Sequence, residues 1–142
     1  MTRVLCIACL ILIAATAVAE EPQQRFRIES AVWCSGELRG QPRLDLAIGE
    51  TGKFEIDAVD SRWRLQVEIE PPAATEGAQP DSIWLKVGIE EQVDGEWEFL
   101  TDTMIGQPLG QSGRITVSGT DDDQSQPGTA PLYVEMIATR IE

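Results

Sequence analysis

Arg62-Trp-Arg-Leu-Gln-Val-Glu-Ile-Glu70 alternates without a break, with Trp63, Leu65, Val67 and Ile69 on one side and charged or amide side chains on the other. Successive side chains of an extended chain point to opposite faces, so this stretch predicts a strand with one face on a core and the other in water. Asp60-Ser61 precedes it as a break, and Pro71-Pro72 ends it, because proline cannot donate to a sheet ladder. Just upstream, Phe54, Ile56 and Ala58 alternate as well, and they follow Gly49-Glu-Thr-Gly-Lys-Phe-Glu-Ile56. That octet is echoed by Gly110-Gln-Ser-Gly-Arg-Ile-Thr-Val117: two glycines three apart, a base, then apolar residues in alternation. Each copy reads as a tight turn feeding a strand.

Further upstream, Leu44, Leu46 and Ile48 alternate with Arg43, Asp45 and Ala47, and the expected arrangement is a hairpin through the Gly49 turn. A first strand is predicted over Arg25 to Trp33, with Phe26, Ile28 and Val32 on one side, followed by an irregular stretch from Ser35 to Pro42. Downstream, Ala73 to Asp81 is a loop, and Ile83, Leu85, Val87 and Ile89 resume the alternation. Asp94-Gly95 marks a hairpin. A three-residue loop, Asp94-Gly95-Glu96, would set Val93 opposite Trp97, whereas a two-residue turn leaves the aromatics on the polar side, so the longer loop is expected. Thr101 to Leu109 is weak, fit for a short edge strand or a loop, and Gly119 to Gly128 is a polar loop.

The last strand, Leu132 to Ile141, places Leu132, Val134, Met136 and Ala138 on one face and Tyr133 and Ile137 on the other, as in a central strand covered on both sides. The repeat thus extends beyond its glycines, since one copy is followed by Trp63 to Ile69 and the other by Leu132 to Ala138. No stretch after residue 19 sustains a helical period. The expected fold is all-β, an antiparallel β-sandwich of about seven or eight strands in two duplicated halves.

Residues 1–19 are read separately. Arg3, the apolar run Val4 to Ala15 and the small-x-small pattern Ala17-Val18-Ala19 form a signal peptide cleaved after Ala19, which predicts a periplasmic or secreted protein. Cleavage before Cys9, as in a lipoprotein, would leave an apolar region of only a few residues. The run is shorter than the roughly 18 residues of a membrane span, and residues 20–142 suit a single β-sandwich domain.

The chain carries a net charge of −13, and loss of Arg3, the one charged residue in the leader, makes it −14. Nucleic acid and anionic lipid are bound through clustered bases, and here the bases stand singly among acids. Cys34 is the only cysteine after residue 19, so no internal disulfide is available there, and its place at the end of an apolar strand predicts a buried, inert thiol. The sequence has no histidine and no asparagine, which excludes Ser-His-Asp and Cys-His catalysis, histidine-ligated zinc and N-glycosylation. Gly49-Glu-Thr-Gly-Lys53 is two residues short of a phosphate loop between its glycines and precedes a strand, so it is read as a turn.

Three candidate sites remain. Asp121, Asp122 and Asp123 offer hard oxygen ligands for calcium, against the plainer reading of an acidic loop. Glu90-Glu91 and Glu96-Glu98 flank the Asp94 hairpin, where a general-acid pair is conceivable beside the plainer reading of exposed strand-face glutamates. Of the four tryptophans, Trp33, Trp63, Trp84 and Trp97, Trp63 falls on the apolar side of its strand. Trp84 is out of phase with Ile83 and Leu85, which makes it the candidate for partner contact if its face is open.

The succession Pro42 to Ile56, Trp63 to Pro71 and Ile83 to Glu90 resembles the strand order of the outer-membrane domain of bacterial secretins, the multimeric secretion channels, over residues 42–119. The paired glycines expected after that pattern are absent at Ser118-Gly119-Thr120, and no amphipathic barrel segment or ring domain accompanies it. The resemblance implies a small periplasmic relative of the strand repeat and no pore. The expected function is a non-enzymatic interaction or scaffolding module for another envelope protein, without cofactor, metal, nucleic acid or membrane span. The competing class is a ligand- or calcium-binding module using residues 121–123 or exposed aromatics.

Overall fold

The structure is a computed structural model that describes residues 23–59, 61–70, 81–117, 128 and 130–141. Nine strands run through these residues and no helix: β1 Arg25–Cys34, β2 Glu37–Gly40, β3 Arg43–Ala47, β4 Thr51–Asp57, β5 Arg62–Glu70, β6 Ser82–Val93, β7 Glu96–Pro108, β8 Ser112–Val117 and β9 Leu132–Ile141. They form two antiparallel sheets, which bears out the all-β sandwich. One has the order β2-β1-β9-β8, with β3 also on β1, and the other has the order β4-β5-β6-β7. Because β2 and β3 pair with successive parts of β1, they act as one edge strand interrupted at Gln41-Pro42.

Four expectations change. The stretch from Ser35 to Pro42 contains the short strand β2, and Thr101 to Pro108 is the second half of an edge strand, β7, longer than expected. The hairpin expected at Gly49 does not form: β3 pairs with β1 in one sheet, while β4 pairs with β5 in the other. The reason is the turn. Gly49 has φ 81° and Ile48 does not share the positive value, while the Glu50 N–H donates to the Ala47 carbonyl at 3.1 Å. A turn with positive φ only at its second central residue does not match the twist of a two-residue hairpin, which calls for primed turns. The chain therefore turns a corner into the opposite sheet.

The fourth change is at Asp94-Gly95. The turn has two residues, not three, so Val93 faces Glu96 and Gln92 faces Trp97. Asp94 and Gly95 have φ of 51° and 80°, as the type I′ hairpin turn requires, and Ser35-Gly36 between β1 and β2 repeats this with 51° and 83°. Two turn chemistries thus sort the connections, hairpins at 35–36 and 94–95 and corners at the repeated glycines.

The Gly110 corner matches the Gly49 corner bond for bond. Gln111 N–H donates to the Pro108 carbonyl, Gly110 has φ 79°, and Gly110 N–H donates to Ala138 of β9 as Gly49 N–H donates to Ile69 of β5. The registers agree beyond the turns. Gly52 faces Val67 and Ile56 faces Trp63, as Gly113 faces Met136 and Val117 faces Leu132. Ile28 lies between Leu44 and Ala138 as Leu85 lies between Ile105 and Ile69. Residues 25–70 and 82–141 therefore follow one strand plan. Each part places its early strands in one sheet and its late strands in the other.

The core lies between the sheets and draws on both parts: Ile28, Val32, Leu65, Val67, Leu85, Val87, Ile89, Leu132, Val134 and Met136 are fully buried. Burying each such aliphatic side chain contributes about 1.5–3 kcal/mol. Trp63 belongs to this core, as its place in the alternation predicts. β9 is central, between β1 and β8, but covered unevenly on its outer face, with Tyr133 1% exposed and Ile137 37% exposed. Trp33 meets Tyr133 edge-on at 5.5 Å there, and burial, then the hydrogen bond to Glu135, pushes the Tyr133 phenol up.

Candidate functional site

The alternation of β6 sends Ile83, Leu85, Val87 and Ile89 inward, and so Trp84, Lys86, Gly88, Glu90 and Gln92 outward. Their partners on β7 share that outer face: Gly106 beside Trp84, Met104 beside Lys86, Asp102 beside Gly88, Phe99 beside Glu90 and Trp97 beside Gln92. Polar side chains were expected along this face. Phe99 instead is 64% exposed, Met104 53% and Trp84 41%. Of the eight large apolar side chains exposed among the described residues, five stand on β6 and β7, namely Trp84, Val93, Phe99, Leu100 and Met104. Scattered exposed apolar residues need no explanation, but a group gathered on one hairpin marks a contact surface.

Two local devices hold this surface open. The bulge between Ile89 and Glu90 carries Leu100 as an extra residue in β7. Gly88 has no side chain and only the Gln66 Cβ near it, at 3.9 Å from where its own would lie, which leaves a depression of about 220 Å³ lined by Gln66, Lys86, Glu90, Phe99 and Asp102. Ala31 on β1 occupies the corresponding place in the other sheet, beside a second depression that contains no aromatic residue.

Trp84 lies on this outer face, where the sequence placed it. It is also bound into the fold, because its indole lies over Gly106, where an added Cβ would meet the ring at 2.8–3.0 Å. An aromatic ring covering a glycine on the neighbouring strand shields bare backbone. Trp84 is thus shared between the sheet and the surface, and Phe99 and Met104 are the more open residues. Trp97 is held by Arg64, whose guanidinium sits 3.8 Å from the ring centroid and also reaches Glu55 at 3.0 Å and Glu90 at 3.4 Å. This cation–π contact is what makes a tryptophan acceptable on the polar side of the hairpin.

The four carboxylates are not gathered in one place. Glu90 points outward to Arg64, while Glu91 lies on the opposite face of β6, across from the exposed Glu98. Asp121, Asp122 and Asp123 lie outside the described residues. Among the described residues, no group of three or more Cys, Asp or Glu could hold a metal ion, and no helix is long and apolar enough to cross a membrane.

Cys34 is buried at the end of β1, beside a cavity of about 270 Å³ that it lines with Arg39, Trp63 and Glu91. Burial pushes the thiol up, and the nearby Arg39 charge opposes this only in part. In a chain with serine at positions 6 and 9, Cys34 is expected to resist a disulfide reagent at neutral pH and to react fully once denaturant is added. Native-state reaction at the rate of a free thiol would show that the site opens readily.

Sequence reasoning missed Phe99, Leu100 and Met104. The signal was present in Glu96-Trp-Glu-Phe99, because a two-residue turn at Asp94-Gly95 puts both aromatics on the outer side. No family model, curated protein or solved structure matches the chain.

Proposed function

We propose that the protein is an exported, non-enzymatic interaction module that docks a partner in the cell envelope on the outer face and free edge of the β6–β7 hairpin. The observation that carries this reading is the gathering, among the described residues, of five of the eight exposed large apolar side chains on that hairpin, the others standing singly at Leu38, Val59 and Ile137. The signal-peptide pattern of residues 1–19 and the secretin-like strand order of 42–119 support an envelope setting. The matching registers of 25–70 and 82–141 support descent from a duplicated unit. In that history β6–β7 took on the contact surface, since the corresponding face of β1 and β3 pairs its charges internally: Arg27 with Asp45 at 2.9 Å and Arg43 with Glu29 at 2.9 Å.

The test is capture from envelope extract with wild type and a Phe99→Ser/Met104→Ser variant. Both side chains are largely exposed, so the variant is expected to melt within a few degrees of wild type. A band held by wild type and lost by the variant is the expected result. Equal recovery of every band by the two proteins would remove this face as the docking surface.

A further inference from the structure

The edges of the two sheets differ in how their charges are met. On the β2/β3 edge, Glu37 pairs with Arg39 and Asp45 with Arg27. On β4, Glu55 and Asp57 pair with Arg62, and Glu55 also with Arg64. β8 contains no acid. β7 contains Glu96, Glu98 and Asp102 and no base, and none of the three joins an ion pair among the described residues. Glu98 moreover stands directly opposite Glu91, a like-charge cross-strand pair that works against the hairpin.

Near the hairpin turn the side chains of β7 are sorted by face. Trp97 and Phe99 lie on the outer side, with Asp102 and Met104 further along it, and Glu96 and Glu98 lie on the other, because each shares the face of its partner on β6. Among the described residues β7 is the last strand of its sheet, and no strand of these residues pairs with its other side. Resting on the reading of this hairpin as the docking element, we propose that its occupant is an extended segment of another protein in which basic and apolar residues alternate. That segment adds to the sheet beside β7.

An added strand sends alternate side chains to the two faces. Its apolar residues then lie along Phe99 and Met104, and its lysines or arginines lie on the side of Glu98 and Glu91, where they relieve the like-charge pair. A second copy of this chain is a poorer occupant, since its β7 contains no base to meet these acids. The bulge at Leu100 twists the edge and discourages unselected strands, so the side chains decide which segment pairs.

The experiment uses the full chain and three synthetic peptides: alternating lysine and valine, the same peptide with glutamate for lysine, and a shuffled lysine–valine peptide of the same composition. Amide shifts and hydrogen exchange report where each binds. The alternating basic peptide is expected to bind about tenfold or more tighter than either control. It should slow exchange along β7, leave β4 unmoved, and lose about tenfold in Glu98→Lys, a variant that removes a like-charge pair and so should remain folded.

Equal binding of the shuffled peptide, shifts at β4 or over the whole acidic surface, or an unchanged affinity in Glu98→Lys would each overturn the proposal. So would a dimer paired through β7, seen by sedimentation at the same concentrations. If Phe99→Ser/Met104→Ser loses its captured band while the peptides show no selectivity, the docking face stands and strand addition falls. If the variant keeps every band, the face itself is wrong.

Discussion

Leu85→Ala and Ile28→Ala are each expected to lower the unfolding free energy by about 2–5 kcal/mol, the cost of deleting a large aliphatic side chain from a packed core. Both residues are fully buried. They hold corresponding places in different sheets, Leu85 between Ile105 and Ile69, and Ile28 between Leu44 and Ala138. Leu85 has the larger neighbour in Ile69 and should sit at the upper end of the range.

The informative part is how the two variants unfold. Each of residues 25–70 and 82–141 contributes strands to both sheets, so neither can come apart without opening the whole core. Both variants should therefore melt in one transition, lowered by about 10 °C, with tryptophan fluorescence and far-ultraviolet dichroism coincident. A biphasic melt in either variant would show that the two parts hold separate cores and that the interleaving does not couple them.

Gly36→Ala is expected to cost about 2–4 kcal/mol, while Gly49→Ala costs about 1 kcal/mol. All L-residues other than glycine are strained at these φ values, 83° and 81°, so that part of the penalty is common. The difference is space. A Cβ at Gly49 meets nothing within 4 Å, whereas one at Gly36 would lie 2.5 Å from the backbone carbonyl oxygen of Gly128, which cannot turn aside as a side chain could. Ser35 N–H donates to the Ala130 carbonyl at 2.9 Å beside it, so the same displacement would also loosen the attachment that leads into β9. Denaturant titration of the two variants checks the ordering. Equal losses would mean that the chain around Gly128 yields and that only the backbone strain counts.

The elements were legible in the sequence because their faces are chemically distinct. Trp63 to Ile69 and Ile83 to Ile89 alternate cleanly, and both proved to be central strands of the four-stranded sheet. The connections were less legible, because one residue's φ decides between a hairpin and a corner. Gly49 announces a turn, and Ile48, a β-branched residue that resists positive φ, already argues against a primed hairpin turn there. Trp97 misled for a different reason. Its partner, Arg64, lies far off in sequence on β5, and their stacking covers a ring that the two-residue Asp94-Gly95 turn sends to the polar side. Trp84 was correctly placed on the outer face, yet its contact with Gly106 depends on the register of β7, a stretch whose sparse apolar residues hid it. Phe99 was passed over because its face follows from the length of the turn at Asp94-Gly95, and Met104 because its face follows from the register of β7 beyond the bulge.

The interleaved plan also governs when the protein acquires a shape. β1 finds its main partner in β9, so the strand made first waits for the strand made last. Until residues 132–141 are available, the first sheet has only the β1 pairing with β2 and β3, and β1 has the opposite sheet to pack on but no partner along its other side. Such distant pairing is slow to form, because a long loop must close before any contact rewards it. The β1–β9 pairing is therefore the late step that completes the first sheet.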